Sequence, residues 1–113
     1  MKTIEALGNV GLRTALEALK DEVSRIAGVG ARMIVYGSYA RGEEREDSDV
    51  DIMVVLPDDN ASFKIQDEVR NAVYDAGFEL DKHFSVIVVT ELQVRKHSGF
   101  MVFGSVEREG LVL

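Results

Sequence analysis

The feature that most constrains the fold is a set of three short apolar runs rich in β-branched residues. They read RMIVY, DVDIMVVL and HFSVIVV, at Arg32–Tyr36, Asp49–Leu56 and His83–Val89. Runs of this length, bounded by turn residues, are typical of buried β-strands. Because the apolar parts lack a clean apolar–polar alternation, we expect at least one face of their sheet to be covered.

Helical patterns surround these runs. Thr3–Ala27 repeats apolar residues at steps of four, three, four and three, and Ser62–Ala76 carries a similar stripe. Gly8 and Gly11 weaken the start of the first helix, so its well-formed part is expected to begin near Leu12. The order helix, strand, strand, helix, strand, helix predicts an α/β (α+β) fold: a small mixed sheet of three or four strands with helices packed on it.

The C-terminal part predicts short elements. Thr90–Gln93 has the form of a capping box, which indicates the start of a helix. Gly99–Glu109 is predicted to be a further short helix, and Leu111–Leu113 a short extended segment. The apolar run Phe100–Phe103 either belongs to the core or covers a contact with a partner or with a second copy of the chain.

Composition excludes several classes of function. The net charge of −7 argues against bulk nucleic-acid binding, which depends on Lys and Arg neutralising phosphates. A nucleotide ligand is still compatible with this net charge, because a bound metal ion can supply the positive charge that the phosphates need. The chain has no cysteine, which excludes disulfides, thiolate metal sites and thiol catalysis. With no membrane-spanning run and no signal-peptide pattern, a cytoplasmic protein is expected.

A polar segment between the first two predicted strands carries the chemistry. Gly37 and Ser38 follow the first strand at once, where glycine permits a sharp turn and a close ligand, and free N–H groups attract anions. Arg41 lies one turn on and is placed to direct its guanidinium at the same anion. The pattern alone does not specify a phosphate site, because Gly-Ser before a helix is also a common turn and cap.

Two aspartates at the second strand make a ligand site more specific. In the predicted strand, Asp49 and Asp51 would share one face, where neighbouring carboxylates repel each other unless a cation lies between them. Asp49 is alternatively only a turn residue at the start of the strand, which leaves Asp51 as an isolated acid inside a β run. An all-oxygen ligand set suits Mg²⁺ or Mn²⁺. The acidic run Glu43–Asp47 is predicted to be a solvated loop. An EF-hand is excluded, because Ile52 and Asp58 stand where its loop needs Gly and Glu.

The motif Gly37-Ser38-x-x-Arg41-Gly42-x5-Ser48-Asp49-x-Asp51-Ile52 resembles the signature of the polymerase β-like nucleotidyltransferase superfamily. The chain is most similar to the minimal nucleotidyltransferases, which are small prokaryotic proteins of about this length. The similarity in element order extends over nearly the whole chain, down to the terminal Arg108-Glu109-Gly110, which implies a single nucleotidyltransferase domain over residues 1–113.

The resemblance implies a site and a reaction. The triphosphate, most simply that of ATP, would bind at Gly37 and Ser38, and Asp49 and Asp51 would be catalytic and hold the metal. A nucleoside monophosphate, AMP from ATP, would pass to a hydroxyl of a protein or small molecule.

Two further motif residues complete the nucleotide-binding set. Ser48 is expected to turn the loop and cap it. Arg41 either contacts phosphate or braces the loop by pairing with an acid such as Glu44.

One departure from the family pattern bears on activity. Active members usually carry a third carboxylate on the neighbouring strand, where Ile87 occupies the expected position and Ser85 shares its face. Asp81 would supply the acid only in another strand register. His83 is predicted to be an edge or surface histidine, although it is one candidate for a general base, and His97 is predicted to be a surface residue.

Two functions follow from the resemblance. The first is a metal-dependent nucleotidyltransferase. The alternative is a catalytically weakened, nucleotide-binding antitoxin. Minimal members are often paired with a helical HEPN toxin, and some modify a tyrosine of that toxin with AMP, so either function expects a protein partner.

Overall fold

The three apolar runs form neighbouring strands of one mixed sheet. The sequence predicts the mixed sheet, and the structure supplies the strand order. The computed structural model describes residues 1–113, which form five strands and five α-helices. In chain order these are β1 (Lys2–Thr3), a 3₁₀ turn (Ile4–Ala6), α1 (Val10–Ala27), β2 (Arg32–Tyr36), α2 (Ser38–Arg41), β3 (Val50–Leu56), α3 (Phe63–Glu79), β4 (Phe84–Thr90), α4 (Glu91–Lys96), α5 (Met101–Glu109) and β5 (Leu111–Val112).

The sheet has the strand order β1-β5-β2-β3-β4. Strand β3 is antiparallel to β2 and parallel to β4. Strand β5 is antiparallel to β2 and parallel to β1. The mixed α/β fold is therefore confirmed. The sheet gains a fifth strand because the two-residue segments at the chain ends pair at one edge, and segments that short carry no periodic pattern.

The central strand β3 divides its residues between two apolar clusters. Val50, Ile52, Val54 and Leu56 point into the large cluster beneath α1 and α3. The alternate residues of β3 point to the opposite face, where a smaller cluster includes Val106 of α5. Asp51 is on this second face and is the one residue of β3 that is not fully buried.

Helix α1 begins later than the sequence predicts. The predicted start at Thr3 is wrong, because Thr3 belongs to β1. The helix begins at Val10, close to Leu12, near which its well-formed part is predicted to begin. The side chain of Asn9 caps it by accepting a hydrogen bond from the N–H of Leu12 at 3.0 Å. The predicted apolar stripe of α1 is buried in the large cluster, and Ile26 packs at its margin.

The C-terminal helices cover the second face of the sheet. The predicted capping box is present, since Thr90 and Gln93 exchange side-chain and backbone hydrogen bonds at the start of α4. In the predicted run, Val102 and Phe103 pack on the smaller cluster, whereas Phe100 and Met101 are exposed. The run is thus half core. None of the helices combines the length and the apolar character that crossing a membrane would take.

Gly77 tests how closely α3 packs on β4. A Cβ there would lie 2.8 Å from the carbonyl oxygen of Lys82 and 3.0 Å from Cγ of Phe84. We expect Gly77→Ala to lower the free energy of unfolding by about 1–3 kcal/mol through overpacking, although alanine favours a helix. Gly99→Ala is the control, because nothing lies within 4 Å of its added Cβ. Equal urea midpoints for the two variants would contradict this packing.

Candidate active site

The structure brings Asp51 against the Gly37 turn. A Cβ on Gly37 would collide with Oδ2 of Asp51, so the carboxylate occupies the space that a side chain would fill. Asp49 lies just before β3 and is exposed, whereas Asp51 is half-buried. Of the two aspartates, Asp51 is therefore the one whose carboxylate lies against the turn.

The turn itself depends on glycine. Gly37 has φ 77° and ψ −155°, and Gly42 closes the one-turn helix α2 with φ 71°. The N–H of Arg41 donates to the carbonyl of Gly37 at 3.1 Å. The earlier N–H groups of α2, including that of Ser38, have no acceptor within the helix, as in the first turn of any helix. The turn thus offers backbone donors next to the Asp51 strand.

Arg41 braces this turn. Its Nη1 donates to both carboxylate oxygens of Glu109, each at 3.1 Å, and its Nε donates to Glu43 at 3.3 Å. These ion pairs raise the pKa of Arg41, with the Glu109 hydrogen bond as the largest cause. The bracing alternative is therefore observed, but Glu44 as its partner is wrong. Glu109 also accepts a hydrogen bond from the N–H of Gly37 at 3.1 Å.

The acidic loop is closed by Ser48. Its Oγ accepts a hydrogen bond from the N–H of Arg45 at 2.8 Å, and its own N–H donates to the Arg45 carbonyl at 3.1 Å. Residues Glu43–Asp47 are all exposed, which matches the predicted solvated loop. Ser48 thus turns the loop just before the aspartates, and its hydroxyl oxygen is engaged within that loop.

His83 joins the site through Asp49. Its Nδ1 lies 2.8 Å from Oδ1 of Asp49, and its side chain is 72% exposed. The prediction of a surface histidine is correct for exposure but does not include this contact. The parallel register of β3 and β4 pairs Val50 with Phe84, which brings the preceding residues 49 and 83 side by side.

The strand register corrects the position expected for a third acid. Asp51 is paired with Ser85, whereas Ile87 is paired with Met53 and packs on the smaller apolar cluster. Ile87 therefore lies about 6–7 Å further along the strand than the residue that neighbours Asp51. Asp81 stands in the turn before β4 with φ 53°, outside the strand. The residue beside Asp51 on β4 is thus neutral, and it is Ser85.

Charges of both signs act on Asp51. Burial raises its pKa most, and the neighbouring Asp49 raises it further. Arg41 and His83 lower this pKa, and Glu109 raises it. The net effect is a raised pKa, which means that the site disfavours a second negative charge unless a cation is present.

Sequence reasoning missed two residues of this site. Tyr36 of β2 is paired directly with Asp51, and burial together with the Asp51 charge raises the pKa of its hydroxyl. The hairpin register could have indicated Tyr36. Glu109 reaches Gly37 from 72 residues away, and no local pattern marks that contact.

The comparisons with known proteins agree with this fold and motif. The family model of the nucleotidyltransferase domain matches residues 13–100, and the chain belongs to this family. Two relatives from Methanocaldococcus jannaschii are each named "putative protein adenylyltransferase". MJ1215 is 38% identical over 76 residues, covering 63% of this chain and 79% of the relative. MJ1379 is 42% identical over 62 residues, covering 53% of this chain and 54% of the relative.

Two solved structures share the fold. One, described as a toxin-antitoxin with AMP-PNP, has a TM-score of 0.55 at 21% identity, covering 85% of this chain and 70% of the other. The other, a mutant of the toxin-antitoxin MntA-HpeT, has a TM-score of 0.54 at 17% identity, covering 87% and 70%. At these identities the likeness establishes the nucleotidyltransferase-like fold.

Gly37→Ala tests the contact between the turn and Asp51. We expect it to lower the free energy of unfolding by about 1–3 kcal/mol more than Gly42→Ala does. Both glycines have positive φ, but an added Cβ at Gly42 meets nothing within 4 Å. In an Asp51→Ala background the excess cost of Gly37→Ala should shrink, because the colliding carboxylate is gone. Urea denaturation of wild type, the two single variants and the double variant measures these free energies of unfolding. If Gly37→Ala costs as much in the Asp51→Ala background as in wild type, the contact is refuted.

Proposed function

We propose that the chain is a metal-dependent nucleotidyltransferase that transfers AMP from ATP to a hydroxyl of a protein or small-molecule acceptor. The observation that carries the proposal is the position of Asp51, which is half-buried beside Asp49 and lies directly against the Gly37 turn. The names of the two adenylyltransferase relatives support AMP as the transferred group.

The residues present fit a divalent cation. Asp49 and Asp51 offer only oxygen donors. Burial and, after it, the charge of Asp49 raise the pKa of Asp51, so a cation would stabilise its charged form. The chain by itself groups no three His, Asp or Glu residues into a metal site. Mg²⁺ commonly binds one or two carboxylates together with substrate phosphates, and Mn²⁺ accepts the same donors. When bound, the ion would supply charge that stabilises in-line displacement at phosphorus.

The chain's own groups would bind and orient the nucleotide. The triphosphate would lie against the Gly37 turn and accept from the backbone N–H groups that begin α2, such as that of Ser38. Arg41 would add positive charge beside it, and Ser48 would fix the loop that precedes the aspartates. In the transfer, the acceptor hydroxyl oxygen bonds to the α-phosphorus while the bond to pyrophosphate breaks, and the hydroxyl proton leaves to a base or to solvent.

Asp51→Asn tests the metal-dependent site. Wild type should bind ATP with Mg²⁺ and lose that binding in chelator, and Asp51→Asn should bind at least about tenfold more weakly. Asp47→Asn, at an exposed acid of the loop, is the matched control and should bind like wild type. Calorimetry that finds equal affinity with Mg²⁺ and with chelator would contradict the metal bridge.

The same variant should not weaken the nucleotide-free fold. Because the pKa of Asp51 is raised on folding, the folded state disfavours its charged form. Its charge therefore costs stability at neutral pH, and this cost disappears as the pH falls and the carboxyl is protonated. Asp51→Asn should be at least as stable as wild type at pH 7, with the difference shrinking toward pH 4. A large drop in its melting temperature would indicate a structural role instead.

Ser85→Asp tests whether the neutral residue beside Asp51 limits transfer. A carboxylate at Ser85 would stand at the level of Asp51 and add both an oxygen ligand and a base, and base catalysis alone is worth about 10²–10⁴-fold. Pyrophosphate release from Mg–ATP, with a tyrosine peptide as acceptor, should rise at least about tenfold. Ile87→Asp is the control. It should give no gain and should lose stability, because its charge enters the apolar cluster.

A second candidate function is a nucleotide-binding antitoxin that pairs with a helical HEPN-type toxin. The neutral Ser85 beside Asp51 favours it, since Asp49 and Asp51 then have no third carboxylate on β4 to complete a metal site. The exposed Phe100 and Met101 offer apolar area for a partner. Wild type that binds Mg–ATP but releases no pyrophosphate, while Ser85→Asp does, would favour the antitoxin. Fast wild-type release that Ser85→Asp leaves unchanged would favour the enzyme.

A further inference from the structure

A single carboxylate on α5 ties together both ends of the Gly37–Arg41 turn. Glu109 accepts a hydrogen bond from the N–H of Gly37 and two from the Arg41 guanidinium, all at 3.1 Å. Its side chain is only 21% exposed. The contact joins residues 68 and 72 positions apart in the sequence, so the C-terminal helix takes part in shaping the turn.

The Gly37 peptide is the surface that Asp51 lies against. Glycine has the least conformational restriction of any residue, so an isolated glycine turn would sample several shapes. The hydrogen bond that the N–H of Gly37 donates to Glu109 holds the turn in one of these shapes. The same carboxylate fixes the guanidinium of Arg41, whose charge acts on Asp51.

Glu109 is itself held by a rigid part of the fold. Val106, one turn earlier on α5, and Leu111, two residues later on β5, are both buried. Leu111 pairs with Val35 of β2, the strand that leads into the turn. A side chain on Gly110 would collide with the Val106 carbonyl oxygen and come within 2.6 Å of Ile34. Moving the backbone at Glu109 would therefore disturb packed residues on both sides, so the carboxylate starts from a fixed point.

We propose that Glu109 is a positioning residue of the nucleotide site: it holds the Gly37–Arg41 turn in the shape that receives the triphosphate, without touching the nucleotide. This inference rests on the proposed function. The same contacts allow an alternative interpretation, in which the Glu109 carboxylate occupies the position of a phosphate and competes with the nucleotide for it. The three hydrogen bonds that the Glu109 carboxylate accepts favour positioning, because a competitor would have to give up all three when the ligand arrives. The N–H groups of the first turn of α2 remain for the phosphates.

The two interpretations predict opposite changes in affinity. Titration calorimetry with Mg–ATP would compare wild type, Glu109→Gln, Glu109→Ala and, as the matched control, Glu107→Gln at an exposed position of the same helix. We expect at least about tenfold weaker binding by Glu109→Ala. Glu109→Gln should lie between it and wild type, because its amide oxygen can still accept from the N–H of Gly37. Glu107→Gln should bind within about twofold of wild type.

The graded rescue by glutamine separates positioning from a general loss of fold, and thermal unfolding of each variant without nucleotide checks that the near-isosteric Glu109→Gln remains folded. Tighter or unchanged binding by Glu109→Gln and Glu109→Ala, with wild type binding normally, would overturn the role of Glu109 alone. No binding of Mg–ATP by wild type would overturn the proposed function and this role with it.

Discussion

The close approach of Asp51 to the backbone of Gly37 is the contact on which the rest of the site depends. A half-buried carboxylate is costly unless charge or hydrogen bonds offset its desolvation. Here the turn has no side chain at the point of contact, so the carboxylate fits against it. The antiparallel pairing of β2 and β3 sets this geometry, because it places Tyr36 directly opposite Asp51 and hence the turn next to it.

The two faces of the sheet have different tasks. The face beneath α1 and α3 holds the large apolar cluster, into which Ile52 and Val54 of β3 point. The other face holds a cluster of only four buried residues, and it ends in the polar site around Asp51. The charged groups lie at the end of the face with the smaller cluster. No charged group therefore has to be buried in the large cluster. The site can therefore carry an excess of acids that a cation would balance.

The carboxylates around the turn are not equivalent. Asp49 is exposed and contacts His83, whereas Asp51 is half-buried and faces the neutral Ser85. Glu109 is engaged by Arg41 and the Gly37 N–H, and this contact uses it to brace the turn. Three acids are thus near one another, but two at most are free for a metal.

The sequence by itself determined the three main strands, the principal helices and the position of the candidate site between Gly37 and Asp51. Each of these depends on local hydrophobic periodicity or on a short motif. It did not determine which residue of β4 neighbours Asp51. Ser85 and Ile87 are two apart and share a face, so a shift of the register by two residues leaves the apolar pattern intact. Only the paired sheet selects Ser85. The contact of Glu109 with Gly37 likewise exists only once α5 is packed, because it joins residues 72 positions apart and depends on where the helix ends.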